Sequence, residues 1–574
     1  MPENILIAIA WPYSNAEIHV GNITGSHLPG DIVARYHRLK GNKVLVVSGT
    51  DSHGTPVTLA ADKEGKPVEE VYRKYHEGFL ELFKGFGITY DLFTSTHTEN
   101  HFKVSQAMFL ALQKNGFLFT ARSKQWYSPS AKRFLPDRYV EGTCYICGFE
   151  GARSDQCDNC GNVLEPEKLI NPRAKTGDGA LELRETEHFY LDLSKLEPDV
   201  KKFLQERAEH MRDTVLGESL GKIEAEGLKP RPITRDLDWG VPVPIEGWTE
   251  AGKRIYVWFE AVIGYLSAPI EWAALSGGSS KDSSAQEKQN SDPQSKGQND
   301  AWREWWTNPD AKQFHFIGKD NIFFHTSLWP AELMGVGSAF MEIFAGEEEP
   351  LTLPYDVPAN QFMNLEGKKI SGSGNWGVWG LDALTRYDAD ALRYYLTVNM
   401  PEAKDSDWDW AEFVARNNNE LVATWGNLAN RVLSFAYKHW EGYVPSFDLE
   451  GGLRSAPPLR EIDLNLLAVI ENGFNTVGTE LEAVRLRSAL GETMKLATTV
   501  NQYLDQTAPW TAIKTDREAA GKTIYTALKA IDSLKVMFAP FLPFSSEKLH
   551  SFFGYETPLF GEQYIEDVTD SLGS

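Results

Sequence analysis

Residues 5–10 (ILIAIA) form an unbroken apolar run, which reads as a strand buried on both faces, as in a parallel sheet. Apolar residues then recur at helical spacing over 22–39, and 43–48 (KVLVVS) reads as a second strand. Residues 71–86 and 102–112 read as amphipathic helices. Strand, helix and strand with short connections predict an α/β, doubly wound parallel sheet over 1–120. From 121 to 230 the texture becomes aromatic, short-stranded and broken by Gly and Pro. Strand-like segments resume at 255–259 and 314–317, so 231–350 is expected to complete a sheet that an insertion splits. Within it, 275–300 has no aromatic and almost no aliphatic side chain, the composition of a disordered loop. Residues 351–400 lead to a region where strand signals cease. There Leu421, Trp425, Leu428, Val432 and Phe435 step by four and three, and similar patterns fill 463–506 and 523–553. An all-α helical bundle is expected over 401–555, with a tail at 556–574.

The chain has 574 residues, ample for several cores, and a formal net charge of -23. That balance excludes a protein that coats nucleic acid indiscriminately, but leaves room for a nucleic-acid site on one basic face. No apolar run nears the ~18 residues of a membrane span. The start, MPENILIAIAW, lacks a positive leader, so no signal peptide is expected and the location expected is cytoplasmic.

The four cysteines are Cys144, Cys147, Cys157 and Cys160, two CxxC pairs. Four thiolates so spaced can form the tetrahedron zinc prefers, and a site with four protein ligands has no open position. One structural zinc in a small knuckle is expected. Two disulfides are the alternative, disfavoured in a reducing compartment. Gly148 and Gly161 follow the pairs, where tight turns would aim backbone N–H groups at sulfur.

Strand 5–10 runs into WPYSNAEIHVGN and then a helix, a place where backbone N–H groups and a helix N-terminus can receive phosphate. His19 could donate to phosphate oxygens, and Gly21 would let a flat base approach. Far along the chain, GKKISGSGNWGVW (367–379) is a Gly/Ser loop with Lys368 and Lys369. Either motif alone equally fits an ordinary helix start or a flexible linker.

These motifs occur in one order with FLPDRYVEGTC, YVWFEAVIGY and FHFIGKDNIFFHTSLWPAEL. The set resembles the methionyl-tRNA synthetase family of class I aminoacyl-tRNA synthetases over residues 4–555, in its archaeal and eukaryotic-like HxGN branch. The resemblance implies a Rossmann-type catalytic domain split by a zinc-knuckle insertion, a KMSKS-type loop and stem-contact region over 351–400, and an anticodon-binding bundle. It implies ATP binding by His19, Gly21, Asn22, Lys369, Ser371, Gly372 and Ser373. Asn22 replaces a second histidine but is still a donor. Gly372 replaces a second lysine, removing a charge from a transition-state contact. Arg235 and Asp320 are implied to give electrostatic support near the reacting groups. The methionine pocket implied is Ala10, Trp11, Tyr13, Asp51, Trp258, Ala261, Tyr265, His325 and Trp329, with Asp51 facing the ammonium. Its aromatics suit a polarizable thioether. Val262 and Asn321 depart from relatives and could alter the pocket rim.

Asn427, Arg431 and Trp510 are implied to read the anticodon, by hydrogen bonds and stacking. Partners expected are L-methionine, ATP with Mg²⁺, and methionine tRNA, the initiator included, with no DNA and no membrane. No appended dimerisation domain is seen, so a monomer is expected. A synthetase for leucine, valine, isoleucine or cysteine, a non-catalytic tRNA-binding regulator, and a small nucleotidyltransferase are the alternatives. The size of the insertion, four closely spaced cysteines and the retained motifs weigh against them.

Overall fold

The computed structural model describes residues 2–135, 139–154, 157, 159–160, 164–175, 179–276, 300–370, 376–448, 454–455 and 457–560. The first strand, β1 (Asn4–Ile9), is fully buried from Ile5 to Ile9. Although every residue there is apolar, the strand still has two faces. Ile5, Ile7 and Ile9 enter one core, while Leu6 and Ala8 enter another. This is the two-residue period of a pleated strand sandwiched between helical layers.

β1 pairs in parallel with β2 (Lys43–Thr50) on one side, and β2 with β3 (Leu92–Ser95). On its other side it pairs with β4 (Lys312–Gly318), which in turn pairs with β5 (Ala359–Asn360). The order β5-β4-β1-β2-β3 reverses direction beside β1, so a crevice is expected at the carboxyl ends of β1 and β4. The insertion leaves the sheet as a long antiparallel ribbon, Leu118–Ser128 against Glu182–Leu191. A small sheet built on Val140–Thr143 carries the cysteines.

Three expectations need correction. Residues 255–259 are not one strand: the strand stops at Ile255, and α1 (Val257–Ser276) begins two residues later. That helix is apolar nearly all round because it is wedged into the second core, which hides helical period. Strand signals do not cease at 400, since Ser406–Trp408 pairs in parallel with Met363–Leu365. The pattern over 463–506 is two helices, α2 (Glu461–Glu482) and α3 (Leu486–Thr507), broken where Val484 takes φ 52°. Residues 277–299, most of the expected loop, lie outside the described residues. No helix of the described residues is long and apolar enough to cross a membrane.

The bundle has no core of its own. Leu428, Val432, Leu467 and Ile531 belong to the same buried cluster as Ile5, Ile7 and Ile9. A buried ionic joint pins the two together. Arg393 Nη2 lies 2.8 Å from Asp31 Oδ2, and both side chains are fully buried. Arg393 also donates to the carbonyls of Phe86, Pro540 and Phe541. Asp31 also pairs with Arg35 at 2.9 Å, so loss of Arg393 leaves that carboxylate with one cation and strips a buried donor from three carbonyls, at about 3–5 kcal/mol. Arg393→Met is expected to lower the unfolding free energy by about that amount, read from the urea midpoint at constant slope.

Candidate active site

The turn after β1 and the segment near 378 meet at the carboxyl edge of the sheet. The Val20 N–H donates to Val378 O at 3.0 Å, and His19 bridges to Trp379. His19 caps the helix that starts at Val20: its Nδ1 accepts from the Asn22 N–H, while Asn22 Oδ1 accepts from the His19 N–H. With Nδ1 an acceptor, the ring proton of the neutral form sits on Nε2. Burial, with the charge of Lys369 adding to it, holds His19 down at about 4, so the ring is a neutral donor at pH 7. Gly21, expected to admit a flat base, has a second constraint: a Cβ there would lie 3.0 Å from His19 Nδ1. Glycine makes room for the folded-back imidazole.

Lys368 and Lys369 stand on a hairpin whose turn residues, Glu366 and Gly367, have φ of 52° and 71°. Two positive φ values suit a right-twisted ribbon and favour glycine. The Lys369 ammonium lies 4.1 Å from the centroid of the Phe362 ring, and Lys319 lies 4.2 Å from the same ring. Lys368 turns instead toward Trp376. Ser371, Gly372 and Ser373 lie outside the described residues.

Beside this edge, Tyr13 bridges to Asp51, at the end of β2. Asp51 is only 3% exposed. Its Oδ1 accepts from the His53 N–H at 3.2 Å. Burial and the neighbouring Glu260 push its carboxyl well above the usual range. Trp258 packs edge-on to Tyr13 and stacks on Phe324 at 4.1 Å. Further along α1, the Tyr265 hydroxyl is 2.7 Å from His325 Nε2, and His325 Nδ1 is 2.9 Å from Asn321 O. A carbonyl only accepts, so Nδ1 carries the proton and Tyr265 donates to Nε2. Burial keeps this histidine at about 4, hence neutral. Trp11 lies against Gly49 and Gly264, where a Cβ would meet its ring at 2.4 and 2.8 Å.

Other expected residues fall differently. Ala10 and Ala261 are half-buried, but Val262 is buried in the second core and not on a pocket rim. Trp329 is fully buried, edge-on to Trp306. Asp320 is exposed just past β4. Arg235 lies over the Tyr256 ring at 4.0 Å and donates to Thr234 O, so its charge is committed locally.

Sequence reasoning missed a buried polar trio. Glu260 Oε1 is 2.8 Å from His53 Nδ1, and Oε2 is 2.7 Å from His101 Nε2. His53 Nε2 reaches His97 Nδ1 at 3.0 Å, and His97 stacks on Trp239. The only hint in the chain was two histidines four apart, 97 and 101, near a GTDSHG segment.

Residues 5–433 match the family described as tRNA synthetases class I (M), and 456–572 the anticodon binding domain of methionyl tRNA ligase. The chain belongs to the methionyl-tRNA synthetase family. A methionine–tRNA ligase of Roseiflexus sp. (strain RS-1) is 48% identical over 99% of this chain and 90% of that protein. One from Thermomicrobium roseum is 48% identical over 100% and 91%. The fold matches the crystal structure of Mycobacterium tuberculosis methionyl-tRNA synthetase bound by methionyl-adenylate. The TM-score is 0.75 at 23% identity, over 98% of this chain and 96% of that one.

As a member of this ATP-dependent ligase family, the chain also carries the expected knuckle and anticodon side chains. The four cysteine sulfurs lie within 4.8 Å of one another, with Cys144–Cys160 at 4.0 Å and Cys147–Cys157 at 3.6 Å. These separations suit four thiolates around one metal ion at ~2.3 Å and are far too long for disulfides. Backbone N–H groups aimed at sulfur include that of Ile146 on Cys144, that of Phe149 on Cys147, just past Gly148, and those of Asn159 and Cys160 on Cys157. The Gly148 N–H goes instead to Cys144 O, and Gly161 lies outside the described residues. In the bundle, the Arg431 guanidinium lies 4.5 Å from the centroid of the Trp510 ring. Asn427 is exposed one turn before it. Purified protein is expected to carry one metal ion per chain, and Cys157→Ser to lose it, as read by elemental analysis.

Proposed function

We propose that this chain joins L-methionine to ATP, forming methionyl-adenylate and pyrophosphate, and then transfers methionine to the 3′ end of methionine tRNA, the initiator included. The observation that carries this reading is the hydrogen-bonded meeting of the HxGN turn with the 376–379 segment, beside a buried, cation-free carboxylate. Asp51 receives the methionine ammonium. Tyr13, Trp11, Trp258, Ala261, Tyr265 and His325 surround the side chain, with Ala10 and Trp329 forming the wall behind. The Tyr265–His325 pair is uncharged and enclosed, so it offers polarity to a thioether without demanding an ionic partner.

The methionine carboxylate attacks the α-phosphorus of ATP, the bond to the β-phosphate oxygen breaks, and pyrophosphate leaves. Nothing in this step needs a general base; positioning and charge stabilisation suffice. His19 Nε2–H and the free amide N–H groups of Asn22 donate to phosphate oxygens, with Gly21 holding the turn open. Lys369, on the His19 side of its hairpin, supplies the cation. Its placement makes it the residue that offsets Gly372, alongside Ser371 and Ser373. Mg²⁺ bound with ATP neutralises the triphosphate charge. Asp320 and Arg235 act on this field from the rim. The metal held by Cys144, Cys147, Cys157 and Cys160 is zinc, and with four thiolate ligands its role is structural.

Arg431 and Trp510 form a ready-made cationic and aromatic platform for an anticodon base, with Asn427 one helical turn away. A cytoplasmic location and a monomeric working unit go with this reading.

ATP–pyrophosphate exchange by purified protein, with each of the twenty amino acids and no tRNA, is expected only with methionine. Exchange with another amino acid overturns the pocket assignment; exchange with none overturns catalysis. Trp510→Ala is expected to cut tRNA charging about 5- to 150-fold, in line with a lost stacking contact of roughly 1–3 kcal/mol, while exchange stays near the parent rate. Equal loss of both activities refutes the division of labour.

A further inference from the structure

We infer that Glu260 makes occupation of the amino-acid pocket release one proton, from the carboxyl group of Asp51. The inference rests on the reading that Asp51 receives the substrate ammonium. His53 is gripped by both carboxyl groups: its backbone N–H donates to Asp51 Oδ1, and its ring Nδ1 lies 2.8 Å from Glu260 Oε1. Glu260 is fully buried and Asp51 nearly so. Among the described residues, neither pairs with a lysine or arginine.

The hydrogen-bond inventory decides where negative charge settles. Glu260 accepts from two imidazoles, His53 Nδ1–H and His101 Nε2–H. The second nitrogen of each ring can then accept, from His97 Nδ1–H and from the Ser267 hydroxyl. Against the cost of its burial, the neighbouring His53 and the hydrogen bonds with His53 and His101 hold the Glu260 carboxyl below the usual range. Asp51 has one backbone donor and a buried anion as neighbour. Two carboxyl groups that close cannot both ionise at low cost, and the proton settles on the poorer-served one.

The other titratable groups beside Asp51 are Tyr265, Tyr13 and His53. Tyr265, on the helix that carries Glu260, is held neutral chiefly by burial. Tyr13 faces it from the segment after β1, and a phenol ordinarily loses its proton only near ~10. The His53 ring is engaged at both nitrogens. With the pocket empty, Asp51 is therefore the neutral acid. An arriving ammonium keeps its three protons and takes Asp51 as its counter-ion, so the Asp51 proton leaves for solvent. Charge balances: one buried cation and one new buried anion, with Glu260 unchanged. Glu260 is a positioning residue, since it touches no substrate and acts through His53 and Asp51.

The test is calorimetric titration of the wild-type protein with L-methionine alone, from pH 5 to 8, in buffers of different ionisation enthalpy. Buffer-dependent heats are expected to report about one proton released per methionine bound at the acidic end. The Kd is expected to weaken roughly tenfold per unit as pH falls through the raised Asp51 value. Glu260→Gln, which removes the charge but keeps an acceptor, is expected to reduce the proton count over the same range while methionine still binds. A proton count of zero across the range, with normal binding, overturns the inference and leaves the pocket assignment standing. So does full release in Glu260→Gln. If that variant does not fold, the wild-type series decides alone. Absence of methionine binding by the wild type rejects the pocket assignment, and the inference with it.

Discussion

One strand hydrogen-bonded on both sides holds this protein together. β1 has no free edge: its first side is committed to β2, close in sequence, and its second to β4, more than half the chain away. Because both pairings are parallel, the carboxyl ends of all three strands lie at one rim. That rim receives the turn with His19, the carboxyl of Asp51 and the segment leading to His325. A shift of register at β4 by one residue would exchange the two faces of that strand and take His325, which follows it, out of reach of Tyr265 on α1. The site is therefore as precise as the pairing.

The electrostatics of the rim follow a simple division. The cations Lys319 and Lys369 both lie over the Phe362 ring, Lys369 exposed and Lys319 paired with Asp405. Histidines sit where they cannot charge, since burial keeps His19, His97 and His325 at about 4. The buried imidazoles thus serve as oriented neutral dipoles with tautomers set by their partners, while exposed ammonium groups supply charge. This arrangement keeps ionic attraction for the polyanionic substrate and avoids a standing desolvation cost in the pocket. The helical bundle is fastened to the same framework through the shared core and the Asp31–Arg393 joint, so its Arg431–Trp510 pair is carried by a body continuous with the sheet.

Much of this was legible in the chain. The parallel sheet followed from apolar runs alternating with amphipathic segments, and the knuckle from the spacing of four cysteines. The ordered motif blocks identified the family. Misreadings occurred where burial erased period. The run at 255–259 looked like a strand because the helix from Val257 is apolar on nearly all sides. Val262, expected as a departure from relatives that could alter the pocket rim, packs into the second core.

What the sequence determined by itself is whatever short-range chemistry encodes: strand and helix period, cysteine spacing, the turn residues of the 366–367 hairpin, and the identity of the motif blocks. What only tertiary structure decided are the relations between residues distant along the chain. Lys369 rather than Lys368 faces His19, His325 takes a defined tautomer from Asn321 and Tyr265, and Glu260 joins His53 to His101 behind Asp51. The reason is physical. Hydrogen-bond direction and desolvation depend on which atoms share a low-dielectric space, and no local pattern specifies that until parallel pairing of β1 with β4 brings the two halves of the chain together.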